Sequence, residues 1–86
     1  MLRIQSEPSD VIAERLRECI ERSIPNARVE VEAGGAGHFA LAVVSRSFAG
    51  KSRVAQQQLV YGAIAHLMKG DAAPVHAIDR LTTALP

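Results

Sequence analysis

Three groupings in this chain carry side chains capable of chemistry: Gly50-Lys51-Ser52, the histidines His38, His66 and His76, and Cys19. Gly-Lys-Ser closes the phosphate-binding loop G-x-x-x-x-G-K-S/T, whose backbone N–H groups converge on phosphate at a helix N-terminus. That pattern needs a glycine at position 45, where the chain has Ser45. Only 34 residues follow Ser52, too few for the parallel sheet and metal-binding acid of a phosphoryl-transfer site. A nucleotide-binding loop is therefore rejected, and the triplet must have another use.

The histidines offer ligand chemistry, because neutral imidazole binds iron and similar metals well. His38 follows the glycine-rich Gly34–Gly37 stretch, and His76 follows the Asp71–Pro74 connection. His66 lies on a predicted helix away from its apolar stripe, and reads as a solvated residue. On residue type alone, His76 reads as a structural strand histidine. Cys19 stands alone, so neither an internal disulfide nor a cysteine metal cluster can form. It falls on an apolar stripe, which suits a packed thiol better than a nucleophile. No nucleophile–base pair and no paired carboxylates stand in register, so an independent enzyme is the weakest reading.

The elements that must position these groups follow from periodicity. Residues 1–8 read as a loose lead-in. Ile12, Leu16, Cys19, Ile20 and Ile24 form one stripe, predicting an amphipathic helix over residues 9–24, capped by Ser9 and ended by Pro25-Asn26. Residues 27–33 alternate, with Val29 and Val31 on one side and Glu30 and Glu32 on the other, as in a half-buried strand. Gly34–Gly37 is a turn signal, and residues 38–45 make a second strand of the same hairpin. That strand is apolar on both sides, which predicts cover on both faces or small alanines set against a helix. Residues 46–50 read as a loop and 52–70 as a long helix. Its stripe is Val60, Ile64, Leu67 and Met68, with Val54 and Gln57 earlier in phase, and Gly62 marks a weak point. Residues 75–83 form a third strand. The predicted order, α-β-β-α-β, gives a two-layer α+β domain with helices on one face of a three-stranded sheet.

Bulk properties bound the answer. Eighty-six residues suffice for one small domain with a modest core. With two Phe, one Tyr and no Trp, that core is expected to be Val, Ile, Leu and Ala. No apolar stretch reaches membrane-spanning length and the N-terminus lacks a signal-peptide core, which predicts a cytoplasmic protein with no membrane contact. The net charge of +1 is segregated. Residues 1–32 hold seven acids, whereas residues 33–70 hold none, with Arg46, Lys51, Arg53 and Lys69 among them. The middle of the chain is locally basic and suits an anion, an acidic partner or a nucleic-acid backbone, although an ordinary solvated surface looks the same.

Residues 37–64 followed by Val75-His76-Ala77-Ile78 resemble the BolA-like family. The resemblance is an ordered series: His38-Phe39 entering a strand, a valine-rich strand ending at Ser45, F-x-G-x-S-R-V from Phe48 to Val54, Q-x-V-Y from Gln58 to Tyr61, then His76-Ala77. It spans Val11 to Thr82 and looks most like the short-loop bacterial branch. It implies a fold related to type II KH domains, with Gly50 turning the chain into the second helix. Lys51, Ser52 and Arg53 then serve as first-turn and capping residues, and Val60 and Tyr61 pack behind them. The chain departs from the family at Gln56-Gln57-Gln58, where many members carry Arg-His-Arg, and it ends without their short final helix or basic tail.

The resemblance also implies a function. BolA-like proteins are non-enzymatic partners of monothiol glutaredoxins, sharing a 2Fe–2S cluster in iron–sulfur trafficking or iron and redox sensing. The glutaredoxin and glutathione each bring a thiolate, and the BolA-like chain brings His; Rieske centres establish that such mixed ligation works. The family's His-Ala maps onto His76-Ala77, making His76 the implied ligand, with His38 a second candidate. No cluster is expected in the isolated chain. Lys51, Ser52 and Arg53 are the expected contacts for an acidic partner or anion. The alternative is a stress-response transcription regulator that binds DNA through Arg46, Lys51 and Arg53. Against it stand the lack of an aromatic stacking surface, a pI below 9, and no G-x-x-G clamp of the kind KH domains use.

Overall fold

The computed structural model describes residues 8–86. It is an α+β domain whose elements run α1 (Ser9–Ser23), β1 (Arg28–Ala33), β2 (His38–Val44), α2 (Arg53–Ile64) and β3 (Ala77–Ala84). Short 3₁₀ turns cover Arg46–Phe48 and Ala65–Leu67. The mixed sheet has the order β1-β2-β3: β1 pairs antiparallel with β2, and β2 pairs parallel with β3. A parallel neighbour needs a crossover, and α2 provides it. The expected order and the one-sided helical layer are both present. The expected lead-in lies outside the described residues, apart from Pro8.

α1 forms for the reason its spacing predicts. Ile12, Leu16, Ile20 and Ile24 recur every fourth residue and all are buried. Its cap differs from expectation: Pro8 takes the N-cap position, and no side chain caps the helix. Proline presets its φ near −65° and needs no N–H there. Its carbonyl accepts the N–H groups of Val11 and Ile12 at 3.0 and 3.1 Å, so Ser9 becomes the first helical residue. On the outer face Arg17 hydrogen-bonds Glu14 and Glu21, and its guanidinium holds the Glu14 carboxyl below the ordinary value.

The core is mostly Ile, Leu and Val, as expected, but both phenylalanines belong to it as well. Phe39 and Phe48 are its largest fully buried side chains, joined by Leu16, Ile20, Val43, Val60, Ile64 and Val75. Two aromatics suffice to fill the centre of a domain this small. Along β2, Phe39, Leu41 and Val43 are buried while His38, Ala40, Ala42 and Val44 are half-buried. Among the described residues the groove over that second face is lined by the three strands and by no helix, contrary to both readings of the alanines. They form the floor of a shallow groove walled by Glu30, Glu32, Arg80 and Thr82. Side chains as small as alanine need little cover beyond those long neighbours.

α2 is shorter than predicted. Its α-helix ends at Ile64, two residues after Gly62, and a 3₁₀ turn carries Leu67 into the core. Val54 is 62% exposed and Tyr61 40%, so neither belongs to the buried stripe. At 100° per residue, Val54 stands 120° away from Val60, and Tyr61 one step off it. Gln56 and Gln57 take the positions facing the sheet. Gln56 donates to the carbonyls of Phe48 and Lys51 and accepts from Thr83 at 2.7 Å, and Gln57 donates to the Leu81 carbonyl at 3.4 Å. Polar groups at such positions are tolerated because they are paired.

Candidate functional site

The N-terminal ends of β2 and β3 lie side by side because the two strands are parallel. His38, the first residue of β2, pairs with Ala77, the first residue of β3. His76 is the residue before, so it precedes β3 instead of lying inside a strand that starts at residue 75. Both histidines therefore occupy one corner of the sheet, on adjacent segments. His76 is exposed, while the residue before it, Val75, is completely buried and anchors the segment.

Gly37 organises this corner. Its carbonyl accepts the N–H groups of His76 and Ala77 at 2.8 and 3.1 Å. Its φ is +78°, a left-handed value that disfavours side chains. A Cβ placed on it would stand 2.6 Å from Nδ1 of His76. The imidazole of His76 thus rests directly against the Gly37 backbone, in space only glycine leaves open. Gly34 and Gly37 do spell G-x-x-G, but the turn they bracket closes the β1–β2 hairpin, with Gly34 and His38 joined N–H to carbonyl at 2.9 Å. Its last glycine is committed to His76.

His38 has a partner that the sequence reading overlooked. Its Nδ1 lies 3.0 Å from Oδ1 of Asp79, with the two side chains 45% and 56% exposed. Asp79 occupies an irregularity in β3: Phe39 pairs with Ile78, but Ala40 pairs with Arg80. Asp79 is the extra residue, the signature of a β-bulge, and bulges redirect side chains. No sequence pattern announced it, since a bulge depends on the register between two strands whose first residues are 39 positions apart.

The corner suits partial metal ligation. Two imidazoles on adjacent exposed segments match the donor chemistry of iron and related metals. Among the described residues, no group of three or more His, Cys, Asp or Glu is arranged to hold a metal ion. Any metal bound here by this chain takes further ligands from elsewhere. Cys19 does not contribute to the corner. It is half-buried on α1, and its Sγ lies 3.6 Å from Nε2 of His66, which sits in the Ala65–Leu67 turn rather than on the helix proper.

The basic segment lies around the start of α2. Ser52 is the N-cap, its hydroxyl accepting the Ala55 N–H at 3.1 Å. Gly50 has φ +77°, and Lys51 N–H donates to the Phe48 carbonyl at 3.1 Å, which together turn the chain into the helix. That is the use of the Gly-Lys-Ser triplet. Arg46, Lys51 and Arg53 are all exposed. Just behind them Ser45 is 1% exposed and donates to the Pro25 carbonyl at 2.7 Å, fixing the end of β2 to the end of α1.

Comparison with known proteins agrees with this architecture. The family model described as BolA-like protein matches residues 13–85. A protein of Acinetobacter guillouiae, described as an uncharacterized protein in the rpoN-murA intergenic region, is 37% identical over 67 residues, covering 77% of this chain and 76% of that one. The structure of a bolA protein homologue from Coxiella burnetii superposes with a TM-score of 0.69 at 30% identity, over 85% of this chain and 88% of the other. The BolA domain of SufE1 from Arabidopsis thaliana gives 0.71 at 30% identity, over 94% and 96%. These relatives come from bacteria and a plant, and they define a family without singling out a branch.

Proposed function

The chain belongs to the BolA-like protein family, and from that premise we propose that it is a non-enzymatic partner of a monothiol glutaredoxin, with which it shares a glutathione-ligated 2Fe–2S cluster. The observation that carries the proposal is the pairing of strand ends that sets His38 beside Ala77, next to His76. In this reading His76 is the principal ligand and His38 the second. The Gly37 backbone supports the His76 ring from beneath and leaves it open to solvent and partner. A cluster bound there serves iron–sulfur trafficking or iron and redox sensing, and the cluster itself supplies the electron-transfer and iron-carrying chemistry.

The partner surface follows from charge. Lys51 and Arg53 lie exposed at the beginning of α2, where the helix dipole already favours negative groups. An acidic face of the glutaredoxin docks there. The same exposure of Arg46, Lys51 and Arg53 supports the second reading, a DNA-binding regulator. It ranks lower because the residues 33–70 segment has few basic groups and the domain no exposed aromatic platform beyond Tyr61.

The test is to purify the chain with a monothiol glutaredoxin and glutathione and record the visible spectrum. The expected result is a coloured heterodimer whose iron has mixed sulfur and nitrogen ligation, with a colourless isolated chain. A glutaredoxin that forms its own cluster and never retains this chain overturns the proposal.

A further inference from the structure

We infer that Asp79 is a positioning residue for His38, holding its imidazole in the tautomer that presents Nε2 as a ligand. The inference rests on the cluster-sharing reading above and adds a residue to it. An ionised carboxylate only accepts hydrogen bonds. With Nδ1 of His38 at 3.0 Å from Oδ1 of Asp79, the proton of a neutral imidazole resides on Nδ1. The lone pair is then on Nε2, at the far side of the ring. Histidine ligands are commonly arranged in this way, with the second ring nitrogen donating to a carboxylate that sets ring orientation and raises basicity.

Three features of the chain concentrate this role on Asp79. The register shift between Phe39 and Ala40 leaves Asp79 without a strand partner and gives Arg80 the position opposite Ala40. Arg80 has another acid within reach, its Nη2 lying 3.7 Å from Oε1 of Glu32, so the nearby cation is drawn to β1. Finally, Oδ2 of Asp79 lies within 3.9 Å of the place a Cβ would take on Gly34. The carboxylate therefore sits between the hairpin turn and β3, against the first residue of β2.

The decisive readout needs no cluster. Imidazole ¹⁵N shifts of the isolated chain are recorded above the histidine titration range, for the parent, Asp79→Ala and Asp79→Asn, with circular dichroism confirming the fold. The parent is expected to carry His38 mainly as the Nδ1–H tautomer. Asp79→Ala is expected to move it to the Nε2–H form that free imidazole side chains favour, and Asp79→Asn, which keeps an acceptor oxygen, to restore the parent state at least in part. His76 and His66 serve as internal references and are expected not to change. An unchanged His38 tautomer in Asp79→Ala overturns the inference. A second readout is the affinity of the cluster-bearing heterodimer, expected to fall about tenfold in Asp79→Ala, the low end of what losing an outer partner costs at metal sites. Failure to form any coloured heterodimer with the parent chain refutes the cluster reading alone, because the tautomer measurement stands independently of it.

Discussion

At the scale of single residues, Gly37 and Cys19 make opposite predictions. Gly37→Ala is expected to be costly twice over. A left-handed φ of +78° carries a penalty of about 1–2 kcal/mol for alanine, and the new methyl meets the His76 ring at 2.6 Å. Thermal unfolding should register the first effect, and a displaced His76 resonance the second; a variant with parental stability and parental His76 shifts contradicts the contact. Cys19→Ser is expected to lower stability by about 1 kcal/mol, since a hydroxyl replaces a thiol packed against the core. It leaves the spectrum of the cluster-bearing heterodimer unchanged. Loss of colour in a folded Cys19→Ser variant would place a ligand on α1 after all. The residue scale is also where sequence reading was least complete. His76 and His38 stood out by type and by family resemblance, but Asp79 did not, because its pairing with His38 arises from a register shift.

At the scale of elements, the start of α2 explains the Gly50-Lys51-Ser52 triplet and supports two measurements. Ser52→Ala removes the hydroxyl that accepts the Ala55 N–H, and is expected to cost about 1 kcal/mol in chemical denaturation, as helix caps do. A change within error would mean that water replaces the cap. Reversing Lys51 and Arg53 together to Glu is expected to slow association with the glutaredoxin at low salt and to flatten its salt dependence, with little change in stability. An unaltered association rate contradicts the docking surface. Element existence and order were legible because they rest on local periodicity: the four-residue spacing of Ile12, Leu16, Ile20 and Ile24, and the alternation from Val29 to Glu32. Element ends were less so. The proline cap of α1 and the change to a 3₁₀ turn after Ile64 depend on backbone geometry and on where Leu67 must reach. The role of Gln56 and Gln57 was hidden too, because polar residues on a buried face are legible only once their partners in β3 are in place.

At the scale of the whole molecule, the α-β-β-α-β order performs one task above all. The α2 crossover makes β2 and β3 parallel, and parallel strands bring their starting residues to the same edge. His38 and the residue after His76 meet there although they are 39 positions apart in the chain. The helices cover the opposite concerns: they bury Phe39, Phe48 and the aliphatic stripes on one face and leave the histidine corner open. The proposed cluster sharing rests on membership of the BolA-like family, and the chain's own residues are compatible in kind, since its one thiol lies elsewhere and imidazoles are what the corner offers. The most direct test of the account is the visible spectrum of His76→Ala mixed with a monothiol glutaredoxin and glutathione. The variant should keep its fold, because an exposed imidazole contributes little packing, yet its heterodimeric cluster should weaken or disappear, leaving at most an all-thiolate cluster on the glutaredoxin. A heterodimer of His76→Ala with the parental spectrum and stability would contradict the assignment of His76 as ligand and move the nucleic-acid reading into first place.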